Sequence, residues 1–382
     1  MGRSARFVIA VVLVAGVYGQ GAAAEASGQR AASETWYGSW QRVAAPTAPG
    51  GDNSLQDVAA TSPTDAWAVG SIRSQGTEAP YDRTLIQHWD GTSWKIVPSP
   101  NPSPFSNGLM GVVALSPTNA WAVGTTVLHW NGVKWSVVPT PNGRGAFAIA
   151  AVSANDIWAV GHPSPDGEMA MHWDGVRWSA VPTPILPNPV EEGTALLDVA
   201  AVSRTDVRAV GQVNDGGLAG LVERWNGTVW KRTSAPNGLP RGVAASSATN
   251  VWVVGIREVS GDYRPWAARW NGYGWTNYVL TAPYGGALQD AVISGPSTWA
   301  VGYQSNANYV PRTLIARWTA ASGWARVPSP NVGSGLPNTG LVNTLSAVTR
   351  VPGTGESLWA VGDYGTPDQT DEDSRPLILR CC

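Results

Sequence analysis

Apolar and polar positions alternate along this chain in short runs, and the runs come in a fixed order. L-Q-D-V-A-A-T (55–61) is followed by A-W-A-V-G (66–70), T-L-I-Q-H-W (84–89) and S-W-K-I-V-P (93–98). Each is rich in Val, Trp, Ile or Thr and is bounded by Pro, Gly, Asn or Asp, so each predicts a short β-strand, here lettered a to d. Between c and d stands Asp90-Gly91, and in later copies Asn131-Gly132, Asp174-Gly175, Asn226-Gly227 and Asn271-Gly272. Such steps tolerate the positive φ of a tight hairpin. The four runs therefore predict an antiparallel meander.

The meander repeats. AWAVG at 66–70 recurs at 120–124, with close copies at 157–161, 251–255, 298–302 and 358–362 and a broken copy, VRAVG, at 207–211. The unit spans about 45–50 residues, a period that marks repeat architectures. One four-stranded sheet cannot bury both faces alone, and radial stacking of copies solves this as a β-propeller. The seventh copy lacks strand d, while SWQRVAAPTAP (39–49) matches SWKIVPSPNP (93–102). The expectation is an all-β, seven-bladed propeller of four-stranded antiparallel blades. The N-terminal strand completes the last blade and closes the ring.

The tryptophans follow the same period. Strand b supplies Trp67, Trp121, Trp158, Trp252, Trp299 and Trp359. Strand c supplies Trp89, Trp130, Trp173, Trp225, Trp270 and Trp318. Strand d supplies Trp40, Trp94, Trp135, Trp178, Trp230, Trp275 and Trp324. Residues locked to a repeat are packing residues, so these indoles are expected between blades. Trp266 aligns with Leu85 and is expected in the core; Trp36 precedes the closing strand.

The W-A-V-G step followed by H-W-D-G-x-x-W-x-x-V-P-x-P resembles the kelch-type repeat. The D-G-x-x-W turn is similar to the Asp box of sialidase-type propellers, and the Trp- and Val-rich short strands to tectonin-type lectin repeats. These resemblances imply a propeller that binds on one face, and they carry over no site.

Composition adds limits. A net charge of −2 and a pI near 6.1 do not steer the chain toward nucleic acid. Arg3 and Arg6, the apolar run 7–19 and the Ala22-Ala23-Ala24 triplet form the three-part layout of a secretory signal peptide. The division expected is a signal peptide at 1–24, a linker at 25–38 and one propeller domain at 39–382. The protein is expected to be secreted, monomeric and not integral to a membrane.

The glycine that ends each AWAVG is expected to release the chain into the b–c loop, and function is sought in the segments that vary between copies. The b–c and d–a connections of a meander open on one face, and there the tyrosines Tyr81, Tyr263, Tyr303, Tyr309 and Tyr364 suit ligand contact. Asp57, Asp198 and Asp290 share one position on strand a, where the other copies carry Gly111, Ala148, Gly242 and, by this alignment, Thr344. Three carboxylates on one rim can hold a cation or sugar hydroxyls, or cap a turn. Asp368, Asp371 and Asp373 in an acidic run are further Ca²⁺ candidates, without the oxygen spacing of an EF-hand. Cys381 and Cys382 can form a vicinal disulfide, pair with another chain or stay free.

No catalytic motif is present: no H-E-x-x-H, no G-x-S-x-G, no phosphate loop. His88, His129 and His172 repeat with the scaffold and read as part of it. No catalytic residue and no cofactor other than Ca²⁺ is indicated. The leading expectation is a binding scaffold for a glycan or an extracellular protein. The alternatives are a polysaccharide hydrolase or lyase using loop carboxylates, and a cell-envelope structural protein.

Overall fold

The computed structural model describes residues 39–74, 82–163, 167, 169–184, 193–214, 217–333, 341–365 and 374–382. The expected signal peptide and linker, Trp36, Tyr81, Asp368, Asp371 and Asp373 lie outside these residues.

Seven four-stranded antiparallel sheets form the blades. Blade 1 is Gly51–Ser62, Asp65–Ser74, Asp82–Trp89 and Trp94–Ile96, strands a to d in order. Blade 2 is Leu109–Ser116, Asn119–Gly124, Val127–Trp130 and Trp135–Val137, blade 3 is Ala148–Ser153, Asp156–Val160, Ala170–Trp173 and Trp178–Val181, and blade 4 is Ala195–Ser203, Asp206–Asn214, Leu218–Trp225 and Trp230–Arg232. Blade 5 is Leu239–Ser247, Asn250–Val259, Asp262–Trp270 and Trp275–Val279, and blade 6 is Gly286–Ser294, Ser297–Ser305, Pro311–Thr319 and Gly323–Val327. Blade 7 takes Val342–Arg350, Leu358–Gly365 and Arg375–Cys381 from the far end of the sequence. Its fourth strand is Gln41–Val43, with Gln41 opposite Arg380 and Val43 opposite Ile378. The closure read from the split repeat is therefore the one observed. Each innermost strand packs on the next, and the innermost strand of blade 7 packs on that of blade 1. Among the described residues the one helical piece is a single turn, Pro141–Gly143, and no helix is long and apolar enough to cross a membrane.

Two glycines of the repeat have local causes. In the c–d turn, Gly91 sits at φ +94, and its equivalents 132, 175, 227 and 272 lie between +90 and +99. The preceding Asp or Asn caps the turn, Asp90 Oδ1 accepting the N–H groups of Thr92 and Ser93 at 2.9 Å. The glycine of AWAVG releases the chain in some copies and not in others. Gly124 ends its strand and Gly161 lies just beyond one, whereas Gly70 lies inside strand b, opposite Leu55. A one-residue bulge between Leu55 and Asp57 pushes strand a toward it, so a Cβ at Gly70 would overlap the Ser54 carbonyl. The same crowding recurs at Gly124, Gly211, Gly255, Gly302 and Gly362, which is why only glycine serves there.

The indoles pack in triads across the seams between blades. Trp67 of strand b meets Trp130 and Trp135 of the next blade, at 4.9 and 5.2 Å between centroids. Trp121 with Trp173 and Trp178, Trp158 with Trp225 and Trp230, Trp252 with Trp318 and Trp324, and Trp359 with Trp89 and Trp94 repeat the arrangement. Each buried indole removes roughly 150–250 Å² from water, so these seams carry much of the stability of the ring. The residue preceding the strand-c Trp lies against the strand-b indole and bonds the first residue of strand b. His88 is 4.2 Å from Trp67 and 2.7 Å from Asp65, and His172 is 2.8 Å from Asp156. Arg269 and Arg317 take the same place over Trp252 and Trp299. The histidines are thus scaffold residues.

Two seams depart from the triad. Between blades 6 and 7, Cys381 stands where strand c elsewhere has Trp; it is buried and bonded to the adjacent Cys382. Between blades 4 and 5, Arg208 replaces the strand-b indole and is only 5% exposed. Its Nε and that of Arg224 both donate to Asp206 Oδ1 at 2.8 Å. Trp266 fills this seam from strand c at 0% exposure, with its ring packed over Gly238 and its N–H on Asn277 at 2.9 Å.

Candidate functional site

Antiparallel pairing places the b–c and d–a connections at one end of every blade. Buried asparagines order this loop face. Asn53 bonds Ala48 and Gly51, Asn107 bonds Ser103, and Asn343 bonds Val332 and Leu341. The V-P-S-P-N segments at 97–101 and 327–331 build matching corners, in which Asn101 and Asn331 accept the N–H of Thr84 and Thr313 at 2.8 and 2.9 Å. The platform is pinned by side chains rather than by apolar burial.

The tyrosines separate on this platform. Tyr309 lies in the b–c turn of blade 6, 48% exposed. Its φ of +59 is left-handed, an uncommon and costly state for a bulky residue. Asn306 imposes it: Asn306 Oδ1 accepts the N–H groups of Asn308 and Val310, and the Asn306 carbonyl accepts that of Tyr309 at 2.9 Å. Tyr284, from the short d–a connection of blade 5, meets Tyr309 edge to face at 5.9 Å and is 43% exposed. Tyr263 is 44% exposed, and its carbonyl lies against Gly285. Sequence reasoning missed Tyr284; the available signal was an aromatic followed by Gly285-Gly286 in a turn.

Tyr263, Tyr303 and Tyr364 are strand residues, not the loop residues expected. Hairpin stems run on past the blade where cross-strand pairs continue, as in Glu258 opposite Tyr263. Tyr364 is engaged by the scaffold, its hydroxyl accepting from Arg42 Nη2 at 2.8 Å with the guanidinium over the ring. Tyr303 is half-buried beside Arg241, whose Nη1 donates to Gln289 at 3.0 Å.

Asp57, Asp198 and Asp290 lie on strand a beside the central channel. Each sits on the bulge, and each carboxylate clips two blades together. Asp57 accepts the N–H of Val58 in its own blade and of Val112 in the next, both at 2.7 Å. Asp198 does the same with Val199 and Val243 at 2.7 Å, and Asp290 with Ala291 and Val348 at 2.6 and 2.8 Å. The carboxylates keep some channel-facing surface but lie deep in the protein. Burial, and then the charge of Asp290, pushes Asp57 up to about 8. Burial likewise lifts Asp290 to about 7, and burial with the Asp290 charge lifts Asp198 well above the usual range. The equivalent residue in blade 7 is Ala347, paired with Val361 as Asp57 is with Val69, and not Thr344; the bulge hides this register from the sequence. No group of three or more metal-ligating side chains occurs among the described residues.

Three further features were not foreseen. Asp363, on strand b of blade 7, is pushed up to about 6 by burial and by the nearby charge of Asp52. It accepts from Thr344 at 3.2 Å and Ser374 at 3.3 Å. Glu223, on strand c of blade 4, is fully buried, with neither carboxyl oxygen hydrogen-bonded. Burial lifts it to about 7 against the opposing pull of Arg232. Finally, a groove of about 540 Å³ opens on blade 6, lined by Gln304, Arg312, Thr313, Arg326, Ser329 and Asn331 with Leu314, Ile315, Val327 and Pro328.

No family model matches the chain, and no curated protein matches it. Among solved structures it is similar to YCF48 bound to D1 peptide, with a TM-score of 0.54 and 12% identity over 89% of this chain and 96% of that one. It is also similar to the GH74 xyloglucanase from Xanthomonas campestris, with a TM-score of 0.51 and 14% identity over 89% of this chain and 55% of that one. The SapL1 lectin in complex with alpha methyl fucoside matches with a TM-score of 0.44 and 14% identity, over 73% of this chain and 97% of that one. At these identities the likeness shows the propeller fold.

Proposed function

We propose that this chain is an exported binding module that takes up a glycan on its loop face at blades 5 and 6. The observation that carries the reading is Tyr309. It is a bulky residue held in left-handed backbone by Asn306, yet left exposed against Tyr284. Stability alone favours glycine there. Strain retained at a half-exposed ring supports presentation of that ring to a ligand. Tyrosine faces suit the C–H faces of sugars, and a rigid platform lowers the ordering cost of binding. The solved propellers of similar shape include one bound to a peptide and one xyloglucanase, so an extended ligand is compatible with this scaffold. Export rests on the N-terminal pattern of Arg3, Arg6 and the apolar run that follows.

The test is a glycan array run beside a peptide array with residues 39–382, the wild type against Tyr284→Ala and Tyr309→Gly. Glycan binding lost in both variants, at an unchanged or higher melting temperature, is the expected result. Binding to peptides alone, or glycan binding indifferent to both tyrosines, would sink the proposal.

One observation favours a second reading, a polysaccharide hydrolase. Asp363, on strand b, accepts from Thr344 and Ser374, and burial with the nearby Asp52 charge pushes it up to about 6, a direction that suits a general acid. Turnover of polysaccharides that vanishes in Asp363→Asn would establish it; turnover absent from the wild type would dismiss it.

A further inference from the structure

The groove on blade 6 carries charge of one sign. Two of its lining residues are arginines and none is acidic, in a protein whose net charge is −2. Arg312 Nη1 is buried with no acceptor, so its neighbours do not neutralise the guanidinium. A buried N–H group left this way is costly unless a ligand completes it. Arg326 is also drawn below its ordinary value by burial, so its hydration is already reduced.

The rest of the lining bears on the ligand's class. Strand d of blade 6 ends at Val327, leaving the outer edge of strand c uncovered at Thr313. That edge is already closed by side chains: the Thr313 N–H donates to Asn331 and its carbonyl accepts from Ser329 Oγ at 3.3 Å. A peptide finds no free ladder to join there. A volume of about 540 Å³ suits a few sugar rings. The groove begins at Arg312, three residues from the exposed Tyr309.

We propose that this groove is a subsite for a uronic acid ring, with Arg312 and Arg326 receiving its carboxylate through forked, charge-assisted hydrogen bonds. The inference rests on the glycan reading of the loop face and specifies it: the oligosaccharide is acidic, with one carboxylated ring in the groove and its neighbours on the tyrosines.

The test is calorimetric titration of residues 39–382 with tetragalacturonate, its fully methyl-esterified form, and a tetraglutamate peptide. Tetragalacturonate is expected to bind at least tenfold more tightly than its ester, and to lose that advantage in Arg312→Gln and in Arg326→Gln. Tyr309→Gly should weaken both saccharides alike. Melting curves show whether each variant is folded, and an Arg326→Lys variant, which should lose part of the preference for the acid, supplies a second probe if Arg312→Gln unfolds. Equal binding of acid and ester, or arginine variants that keep the preference, overturns the uronate subsite and leaves the glycan reading standing. Saccharide binding indifferent to Tyr309 overturns that reading instead. Tighter binding of tetraglutamate than of the uronate, or no binding of tetragalacturonate, overturns the subsite.

Discussion

Replacing Glu223 with Met should stabilise the protein, and by an amount that depends on pH. Six other blades hold Gln87, Leu128, Met171, Ala268, Ala316 and Leu379 at this position, so the seam accepts an apolar side chain of this size. Glu223 titrates near 7 when folded against 4.5 for the free side chain. Its folded form therefore holds a proton that the unfolded chain releases between those values. Whatever stability the protonated acid allows is fully present below 4.5 and is lost as pH rises through 7. Each pK unit is worth about 1.36 kcal/mol, so the penalty approaches about 3 kcal/mol at pH 8 and is under about 1 kcal/mol at pH 5. Burying a thioether chain adds a gain common to both pH values, which cancels in the comparison. Urea unfolding of wild type and Glu223→Met at pH 5 and pH 8 should thus give two stabilisations differing by roughly 2–3 kcal/mol, larger at pH 8. Equal stabilisation at the two pH values, or destabilisation at pH 8, would refute the assignment of an ionisable, unpaired acid in this seam.

Other outcomes follow from the same structure. Asp198→Ala should cost about 2 kcal/mol by thermal melting, because it strands the buried N–H groups of Val199 and Val243. Arg208→Met should cost about 3 kcal/mol, since Asp206 then loses one of its two guanidinium partners inside the seam. Gly91→Ala should cost about 1–3 kcal/mol, as the positive φ and contact with Thr64 both oppose a Cβ. Deleting residues 39–49 removes Trp40 and the closing strand, and the melting temperature should fall by several degrees or more; an unchanged value would argue against the closure.

The wheel was legible because repetition amplified weak local signals. One Asp-Gly or Asn-Gly between two apolar runs suggests a hairpin, whereas five such steps at a constant distance from paired tryptophans define a blade. The same averaging hides what happens once. Arg208 stood out as a broken motif, but its sharing of Asp206 with Arg224 depends on two neighbouring strands meeting. The bulge at Leu55–Asp57 shifts register by one residue, which no count along strand a shows. The glycine after Trp-Ala-Val read as a chain exit, while its true constraint is a carbonyl on a neighbouring strand. At the candidate site, Tyr309 was visible as a loop aromatic and Tyr284 was not, because exposure and partnership are set by turns that the sequence only outlines. The groove of Arg312 and Arg326 is likewise assembled across three strands and a corner.

The aspartate clips obey an exclusion rule. Each clip consumes the N–H that follows the aspartate in its own blade and the matching N–H in the next blade. An amide proton can be given in full only once, so two successive blades cannot both carry the aspartate. In a closed ring with an odd number of members, perfect alternation is impossible and one member must stand idle. Blades 1, 4 and 6 hold the aspartates, blades 2, 5 and 7 receive them through the N–H groups of Val112, Val243 and Val348, and blade 3, with Ala148 at the aspartate position, is left over. The ring is saturated. A fourth clip could be introduced only by dissolving an existing one, so further stiffening of this hub must come from outside the channel.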